Sequence, residues 1–494
     1  MSILRQTSVL KLSKPAAAQG RLGLPLIAIY GVGGLSEHVV AWGLSNLLLF
    51  YLTIICGLSG SSAGFAMGLA LVVDAVLQPM VGSLSDNSRS RHGRRHPFMI
   101  AGAIPLAVGF GLLYSVPEGL TGLPLFAYAM AMLLVTRIGH AVFNVPYVAL
   151  GAELTNDYHE RSLVTASRLL SGALGAALAT WLAYGVFMEG RAGQTHREAY
   201  APLAWSCAAI VAVGAGGSIL ATLRMRHRLH TSKPVGGPPI RRFAKEIVEL
   251  FRHRAFRSLF FTALALMVAW GAANSLGLHA NTYFWKLKTE QIRNISLMGV
   301  GGFVVGCLAA GSLASFIEKR TKAMMGMGLI AACQLCLVPL QLAGLIPPNW
   351  ALPAVTTASV LAQFGFAFTL VNFQSMTADT ADEHEYLFGA RREALCYSGS
   401  SLAAFASSGL GAMIAGIALD LIGFPHGVPK GAALDLPAET VRNLGLVYGP
   451  GAGIVSLLAV ACMLGYRLNR EKHTAIRDDL AKRRVAEGSA QDLG

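Results

Sequence analysis

Runs of about 20 apolar residues recur along nearly the whole chain, which is the length a helix needs to cross a bilayer. Apolar side chains make up 54% of the residues and charged ones only 13%, whereas a soluble domain carries about 25% charged residues. A soluble core that hides this much apolar surface from water is hard to build. The pattern therefore predicts an all-α polytopic membrane protein.

Twelve segments are predicted to span the membrane as helices, six before and six after a basic linker. The predicted parts are an N-terminal segment 1–23, a six-helix bundle 24–223, a linker 224–256, a second six-helix bundle 257–467 and a C-terminal tail 468–494. The predicted spans are residues 24–55, 62–84, 97–116, 124–150, 164–188, 201–223, 257–284, 292–316, 322–345, 350–376, 393–422 and 443–467.

The cationic residues are distributed unevenly between the two ends of these spans. The formal net charge is +14, and most Lys and Arg residues fall on the side that holds both termini and the hairpin 85–96. Because cytoplasmic loops carry the excess of Lys and Arg, both termini are expected in the cytoplasm of a protein in the plasma (inner) membrane. No aromatic-basic module supports a nucleic-acid partner, and residues 1–23 lack the pattern of a cleaved signal peptide.

The stretch from Leu71 to Phe98 places an acid inside the membrane next to a cationic hairpin. Asp74 lies near the middle of the second span, and Gln78 follows one turn later on the same face. A carboxyl group at that depth is paired with a cation, protonated, or bound to a metal cation. Asp74 is therefore interpreted either as a proton carrier or as one member of a fixed ion pair with Arg137.

The fourth span carries Arg137, His140 and Asn144 at the spacing i, i+3, i+7. That spacing gathers the three side chains on one helical face, which is expected to point into the bundle. Arg137 is the one Lys or Arg predicted in mid-membrane, so it requires an anionic partner. The sequence leaves Asp74, Glu37 and a bound solute open as that partner.

The first span also carries ionisable residues inside the membrane, Glu37 and His38. Ionisable groups at that depth cost several kcal/mol unless they face a cavity or a partner. Two interpretations stay open: they line a path for substrate or ion, or they satisfy each other or a neighbouring helix.

Aromatic and amide side chains recur at helical spacing in the second half of the chain. Aromatic faces stack on the C–H faces of sugar rings, and amides bond sugar hydroxyl groups. Ordinary helix packing explains each residue equally well. The candidate substrate-binding residues of this half are Trp270, Asn274, Asn281, Asn372 and Tyr397. Arg137 and His140 of the fourth span are added to them as candidates.

Charged residues also cluster where several spans reach the predicted cytoplasmic side. Ion pairs among them are expected to close that side in one conformation, which is a gating role rather than a binding role. The candidate gate residues are Asp86, Arg91, Arg94, Arg95, Glu153, Asp157, Arg161, Asp379, Asp382, Arg391 and Arg392.

Three segments together resemble one known family. They are DNSRSRHGRRHP (86–97), VPYVALGAELTNDYHERSLVTASR (145–168) and MTADTADEHEYLFGARREALCYS (376–398). They resemble the glycoside–pentoside–hexuronide:cation symporters, the melibiose/sodium-symporter-like branch of the major facilitator superfamily. The resemblance covers the whole chain and implies the major facilitator fold, a sugar or glycoside solute, and alternating access by rocking of two six-helix bundles.

For the sodium-coupled members, the resemblance implies a cation site of acids on the first, second and fourth helices, with a Lys on the eleventh. Only Asp74 matches as an acid, and Phe405 stands at the position of the Lys. Neutral amides supply oxygen without charge, so a proton is favoured over sodium as the coupling ion. The candidate coupling-ion residues are Asp74, His38, Glu37, Gln78 and Asn144.

Three functions fit these observations. The first is a proton-coupled symporter of a sugar or glycoside, and the second is a symporter or facilitator of another amphipathic or anionic solute held by Arg137. The third is a non-transporting sensor or assembly factor on the same scaffold. An enzyme is disfavoured because the sequence shows no nucleophile–base pair and no metal-ligand cluster. The expected partners are a small-molecule solute and the lipid bilayer, with a functional monomer and no cofactor beyond the coupling ion.

Overall fold

The computed structural model describes residues 22–88, 90, 93–155, 157–190, 193–223, 250–312, 317–388, 407, 409–427 and 436–491. Every regular element within these ranges is helical, and eleven of the helices are long and apolar enough to cross a membrane. A helix satisfies its backbone polar groups internally, which a spanning segment must do in lipid. The all-α membrane fold expected from the apolar runs is confirmed.

Thirteen labels are used below for helices within the described ranges. They are α1 (Leu24–Asn46), α2 (Gly60–Asn87), α3 (His96–Leu113), α4 (Gly122–Glu153), α5 (Tyr158–Leu182), α6 (Tyr200–Leu223), α7 (Arg254–His279), α8 (Thr289–Ser312), α9 (Lys319–Leu342), α10 (Pro348–Phe388), α11 (Gly409–Leu421), α12 (Ala438–Met463) and α13 (Arg470–Gln491). The helix α11 is shorter than a span and makes up most of the described part of the predicted segment 393–422. Most of the predicted linker 224–256 lies outside the described residues.

Successive helices from α1 to α12 run in opposite directions across the bundle. The loop between α2 and α3 therefore lies on the same side as the start of α1 and the end of α12, and we call this the hairpin side. The opposite side, which holds the start of α2 and the end of α11, is the far side. We call α1 to α6 the first group and α7 to α12 the second group.

The helix contacts of the first group recur in the second. In the first group, α3 packs on α4 and α6, α2 packs on α4, and α1 packs on α6. In the second group, α9 packs on α10 and α12, α8 packs on α10, and α7 packs on α12. Each contact in the second group joins the helices six places further along the chain. The faint sequence echo between the halves thus corresponds to a repeated packing arrangement.

Two corresponding helices also end in the same way. A π-helical turn follows α1 at Tyr51–Ile55 and another follows α7 at Ala280–Phe284. In each, the amide after the turn bonds the carbonyl five residues earlier, at 2.9 Å from Cys56 to Tyr51 and 2.9 Å from Trp285 to Ala280. The turns after α1 and α7 thus occupy corresponding places in the two groups, and π-helical turns also occur at Ala183–Phe187 and Val447–Gly451.

The two groups meet through backbone contacts and hydrogen bonds on the far side. A Cβ on Gly64 of α2 would lie 2.9 Å from the Met413 carbonyl of α11, so these helices approach as closely as glycine allows. Thr53 Oγ1 lies 3.0 Å from His279 Nε2, and Thr289 donates to Gln194 Oε1 at 2.7 Å. Every hydrogen bond between the two groups that has both partners in the described ranges lies on this side.

The contact between α3 and α4 supplies a test of the packing. A Cβ on Gly139 would collide with the backbone of Leu106 and Pro105. We therefore expect Gly139→Ala to lower the free energy of unfolding by about 1–3 kcal/mol, because two backbones must separate. Thermal unfolding in detergent measures the change. A Cβ on Gly301 of α8 would meet no atom within 4 Å, so Gly301→Ala is the control, and equal losses in the two variants would contradict the packing.

Candidate functional site

An ion pair inside the membrane joins α2 to α4. Arg137 Nη1 lies 3.7 Å from Asp74 Oδ2, and His140 Nδ1 lies 3.9 Å from Asp74 Oδ1. The Asp74 side chain is completely buried, and Arg137 is only 14% exposed. The partner that the sequence left open for Arg137 is therefore the acid of the second span.

The groups around this pair leave hydrogen-bonding capacity unused within the described protein. Both carboxylate oxygens of Asp74, Nε of Arg137, Nδ1 of His140 and Oδ1 of Asn144 are buried without a hydrogen-bond partner among the described groups. A buried polar atom without a partner costs about 1–3 kcal/mol. A polar solute, a proton or water that bonds to these atoms therefore stabilises the cluster. We call Asp74, Gln78, Arg137, His140 and Asn144 the central cluster.

Two prolines lie inside the helices that carry the central cluster. Pro79 lies inside α2 and Pro146 lies inside α4. Because proline has no N–H, the carbonyls four residues earlier, those of Ala75 and Val142, lose their helical donors. Two backbone acceptors are thus added near the charged side chains, an arrangement typical of mid-membrane binding sites in transporters.

The central cluster lies next to the junction of the two groups. Gln78 follows Gly60 by five turns of 3.6 residues, so it shares the face of α2 that meets α11. On that face, a Cβ on Gly409 of α11 would lie 2.7 Å from Leu71 Cβ. Asp74 follows Leu71 by about one turn, toward the hairpin side.

Glu37 and His38 lie with α5 rather than with the central cluster. Glu37 Oε2 is 3.4 Å from Arg168 Nη1 of α5. His38 Nδ1 lies 3.1 Å from the carbonyl of Gly34 in its own helix, and its ring fills the space beside Gly172 of α5. Of the two interpretations of these residues, the structure favours the one in which their polar groups find partners within the helix bundle. Glu37 and His38 therefore lie apart from the other three predicted coupling-ion residues, Asp74, Gln78 and Asn144.

The predicted sugar-contacting residues of the second group are partly engaged in packing. Trp270 of α7 stacks on Phe366 of α10, with ring centroids 3.9 Å apart. Asn274 donates to the Trp270 carbonyl at 2.9 Å, and the buried Asn372 donates to the carbonyl of Phe368 at 2.8 Å. Each amide keeps its oxygen for another donor. Asn281 belongs to the π-helical turn after α7, and the prediction at position 397 lies outside the described residues.

Four predicted gate residues of the first group, Asp86, Arg94, Arg95 and Glu153, form one network on the hairpin side. Glu153 pairs with Arg94 and lies 2.7 Å from Arg95, which also bonds Asp86 at 3.0 Å. Burial lowers the pKa of Arg95, and the two carboxylates oppose that effect. Asp157 has another role, since its Oδ1 accepts the Glu160 amide at 2.9 Å and caps α5.

A second network joins α10 to α9 and to the C-terminal helix α13. Lys319 lies 2.6 Å from Asp379, and His473 of α13 lies 3.1 Å from Asp382. Lys472 of α13 lies 2.6 Å from Glu383. Ile476 and Leu480 of α13 are buried in the same core as α7 and α9.

The described ion pairs on the hairpin side are local to each group. The gate residues are predicted to close that side by pairing in one conformation, and in the conformation described here each pair joins helices of one group, or the second group to α13. Their closing role therefore stays a prediction. Arg91, Arg391 and Arg392 lie outside the described residues, as does the side chain of Arg161.

The sequence did not indicate the partners of several residues that hold the structure together. Arg168 is half of the Glu37 pair, His473 and Lys472 attach α13, and Asp420 bonds the start of α2. A lone acid inside an apolar run is a signal that could have identified Asp420. The partners of all four are distant in the chain, and no local spacing indicates them.

Comparison with known proteins gives a consistent result. The sequence profile of the MFS/sugar transport protein family matches residues 29–470. An uncharacterized symporter of Synechocystis sp. is 23% identical, over 92% of this chain and 96% of its own. The isoprimeverose transporter of Lactiplantibacillus pentosus is 25% identical, over 91% of this chain and 89% of its own. A solved structure of a variant of the nucleoside transporter NupG shares the fold, with a TM-score of 0.62 at 14% identity over 90% of this chain and all of that one.

The buried ion pair is testable by a double-mutant cycle. We expect Asp74→Asn and Arg137→Gln each to lower the free energy of unfolding by about 3–5 kcal/mol, because each leaves a buried charge uncompensated. The double variant should lose less than the sum of the two, since it leaves no such charge. Thermal unfolding in detergent gives the values, with Asp478→Asn on the exposed face of α13 as the control. Strictly additive losses would contradict the pair.

Proposed function

This chain belongs to the MFS/sugar transport protein family, and on that premise we propose that it is a proton-coupled symporter of a sugar or glycoside. It is an integral membrane protein and a secondary transporter of the sugar type, not an enzyme. The observation that supports proton coupling is the buried carboxylate of Asp74 beside Arg137 and His140, next to the junction of the two groups.

The proposed architecture has twelve spanning helices in two bundles of six. In this proposal α11 forms the eleventh span together with residues that precede it in the chain, which brings the number of spans to twelve, and the bundle boundaries are those expected from the sequence, 24–223 and 257–467. The hairpin side is the cytoplasmic side, because it carries the excess of Lys and Arg. The protein then lies in the plasma (inner) membrane with both termini inside and functions as a monomer.

In the proposed mechanism the two bundles rock about the solute, and the described conformation is open toward the cytoplasm. The far-side contacts between the groups support this assignment, as do hairpin-side networks that stay within each group. Opening to the outside then requires the contacts of α2 with α11 to separate. The hairpin-side residues are expected to exchange their partners in that step.

A proton suits the central cluster better than a sodium ion. A sodium ion at Asp74 would lie beside the Arg137 guanidinium, and two cations at that distance repel each other. A proton instead binds the carboxylate and removes its charge. Arg137 is then free to donate hydrogen bonds to solute oxygens, so solute binding and protonation assist each other. No cofactor beyond the coupling ion enters this mechanism.

A second candidate solute is an organic anion, and the same cluster supports it. The Nε of Arg137 is buried without a described partner. A carboxylate or sulfonate group on the solute would pair with this guanidinium once Asp74 is neutral. In this alternative Arg137 is the anion clamp, and the coupling proton still binds Asp74.

Uptake into proteoliposomes tests the proposal. A panel of labelled glycosides, hexuronates and organic anions is offered under an imposed pH gradient or an imposed sodium gradient. We expect accumulation of a sugar or glycoside with the pH gradient alone, and at least tenfold less accumulation in Asp74→Asn. The double variant Asp74→Asn/Arg137→Gln, which retains a neutral packed cluster, should lose accumulation too.

Two outcomes would count against the proposal. Accumulation driven by sodium alone would overturn proton coupling. Uptake of organic anions but of no sugar would replace the first solute class by the second.

A further inference from the structure

The carboxylate of Asp420, at the far end of α11, bonds the first turn of α2. Its Oδ1 accepts the Gly60 amide at 2.8 Å, and its Oδ2 accepts the Ser61 amide at 2.8 Å and the Ser61 hydroxyl. One side chain of the second group thus satisfies three donors of the first group. His426 Nε2 lies 3.2 Å from Oδ1, the oxygen that also accepts the Gly60 amide.

These bonds replace part of the cap that α2 would otherwise supply from its own chain. The first amides of any helix have no partner within the helix. The side-chain oxygen of Ser59, the residue before α2, accepts the Ser62 amide at 3.3 Å. The amides of Gly60 and Ser61 are therefore left for Asp420, and a negative charge is favoured at a helix N-terminus.

The surrounding contacts make the bond specific to one conformation. A Cβ on Gly60 would collide with the Gly416 carbonyl of α11, one turn before Asp420. The carboxylate reaches α2 only while the two helices touch in this way. Nearby, the Gly427 amide bonds the Thr53 carbonyl at 3.0 Å. When the far side opens, the start of α2 exchanges the carboxylate for water.

We infer that Asp420 is a positioning residue for transport, a far-side latch that holds the start of α2 and stabilises the conformation closed on that side. The inference rests on the proposed alternating-access function, since only a protein that opens its far side has to break this contact. The latch contributes to the equilibrium between the two conformations and does not contact the solute.

Spin-label distances on the full-length protein in lipid nanodiscs test the latch. The labels are attached at Leu123→Cys and Leu345→Cys, exposed far-side positions of the first and second groups, in a background without the seven native cysteines. Hydrogen bonds to a charged group stabilise a structure more than bonds between neutral groups do. We therefore expect Asp420→Ala to raise the ratio of open to closed far-side populations about ten- to a hundredfold. Asp420→Asn keeps one acceptor oxygen and should give an intermediate shift.

Controls separate the latch from a general loss of structure. Glu439→Ala removes another exposed far-side acid, in the first turn of α12, and should leave the distances unchanged. Ser61→Ala removes one of the three bonds and should shift the populations in the same direction by less, which keeps the test valid if Asp420→Ala fails to fold. Distances in Asp420→Ala and Ser61→Ala that superimpose on those of the unsubstituted protein would overturn the latch.

The outcomes also distinguish the latch from the proposed function. Unchanged distances together with normal proton-driven uptake would refute the latch and leave the function standing. A far-side shift in Asp420→Ala, in a protein that accumulates no solute from the panel, would support the latch and count against the sugar-transport proposal.

Discussion

Two opposite charges in the middle of a membrane constrain the rest of this structure. Neither Asp74 nor Arg137 is tolerated there alone, because an uncompensated charge in that environment is costly. Their pairing fixes the faces of α2 and α4 toward each other. At 3.7 Å the pair is longer than a direct hydrogen bond, so it neutralises both charges and still leaves their bonding capacity for a third group. Anything that protonates the acid changes what the guanidinium can bind.

The contacts between the two groups of helices explain how such a cluster could be reached from one side. On the far side, glycines allow α2 and α11 to touch, and side-chain bonds such as that of Thr53 with His279 hold the groups together. On the hairpin side, charges such as Glu153 and Asp379 bond within their own group or α13 instead. The two groups are therefore bonded to each other on the far side, whereas on the hairpin side each group forms its ion pairs within itself or with α13.

Much of the fold follows from the sequence, because a bilayer leaves few alternatives to apolar helices. The face shared by Arg137, His140 and Asn144 was also predictable, since helical periodicity alone sets it. Glu37 could not be placed in the same way. Its partner, Arg168, lies on another helix, and the spacing of charges along one helix does not indicate which neighbour that helix faces.

The far-side bond of Asp420 illustrates the same limit, because its partners lie in α2, some 360 positions earlier. The docking of α13 through Lys472 and Ile476 is likewise a tertiary result. The sequence predicts residues 468–494 only as a C-terminal tail, and the helix α13 is seen in the structure alone. Which surface it covers depends on acids of α10 that come together after folding.

The central claim is that Asp74 couples the solute to a proton, and it is tested most directly by comparing exchange with accumulation. Proteoliposomes loaded with unlabelled solute are diluted into labelled solute without any ion gradient, and counterflow is recorded for the unsubstituted protein and for Asp74→Asn, which mimics the protonated acid and keeps Arg137. The account predicts that the variant exchanges solute at a comparable rate but does not accumulate it under a pH gradient. Full proton-driven accumulation by the variant would contradict it.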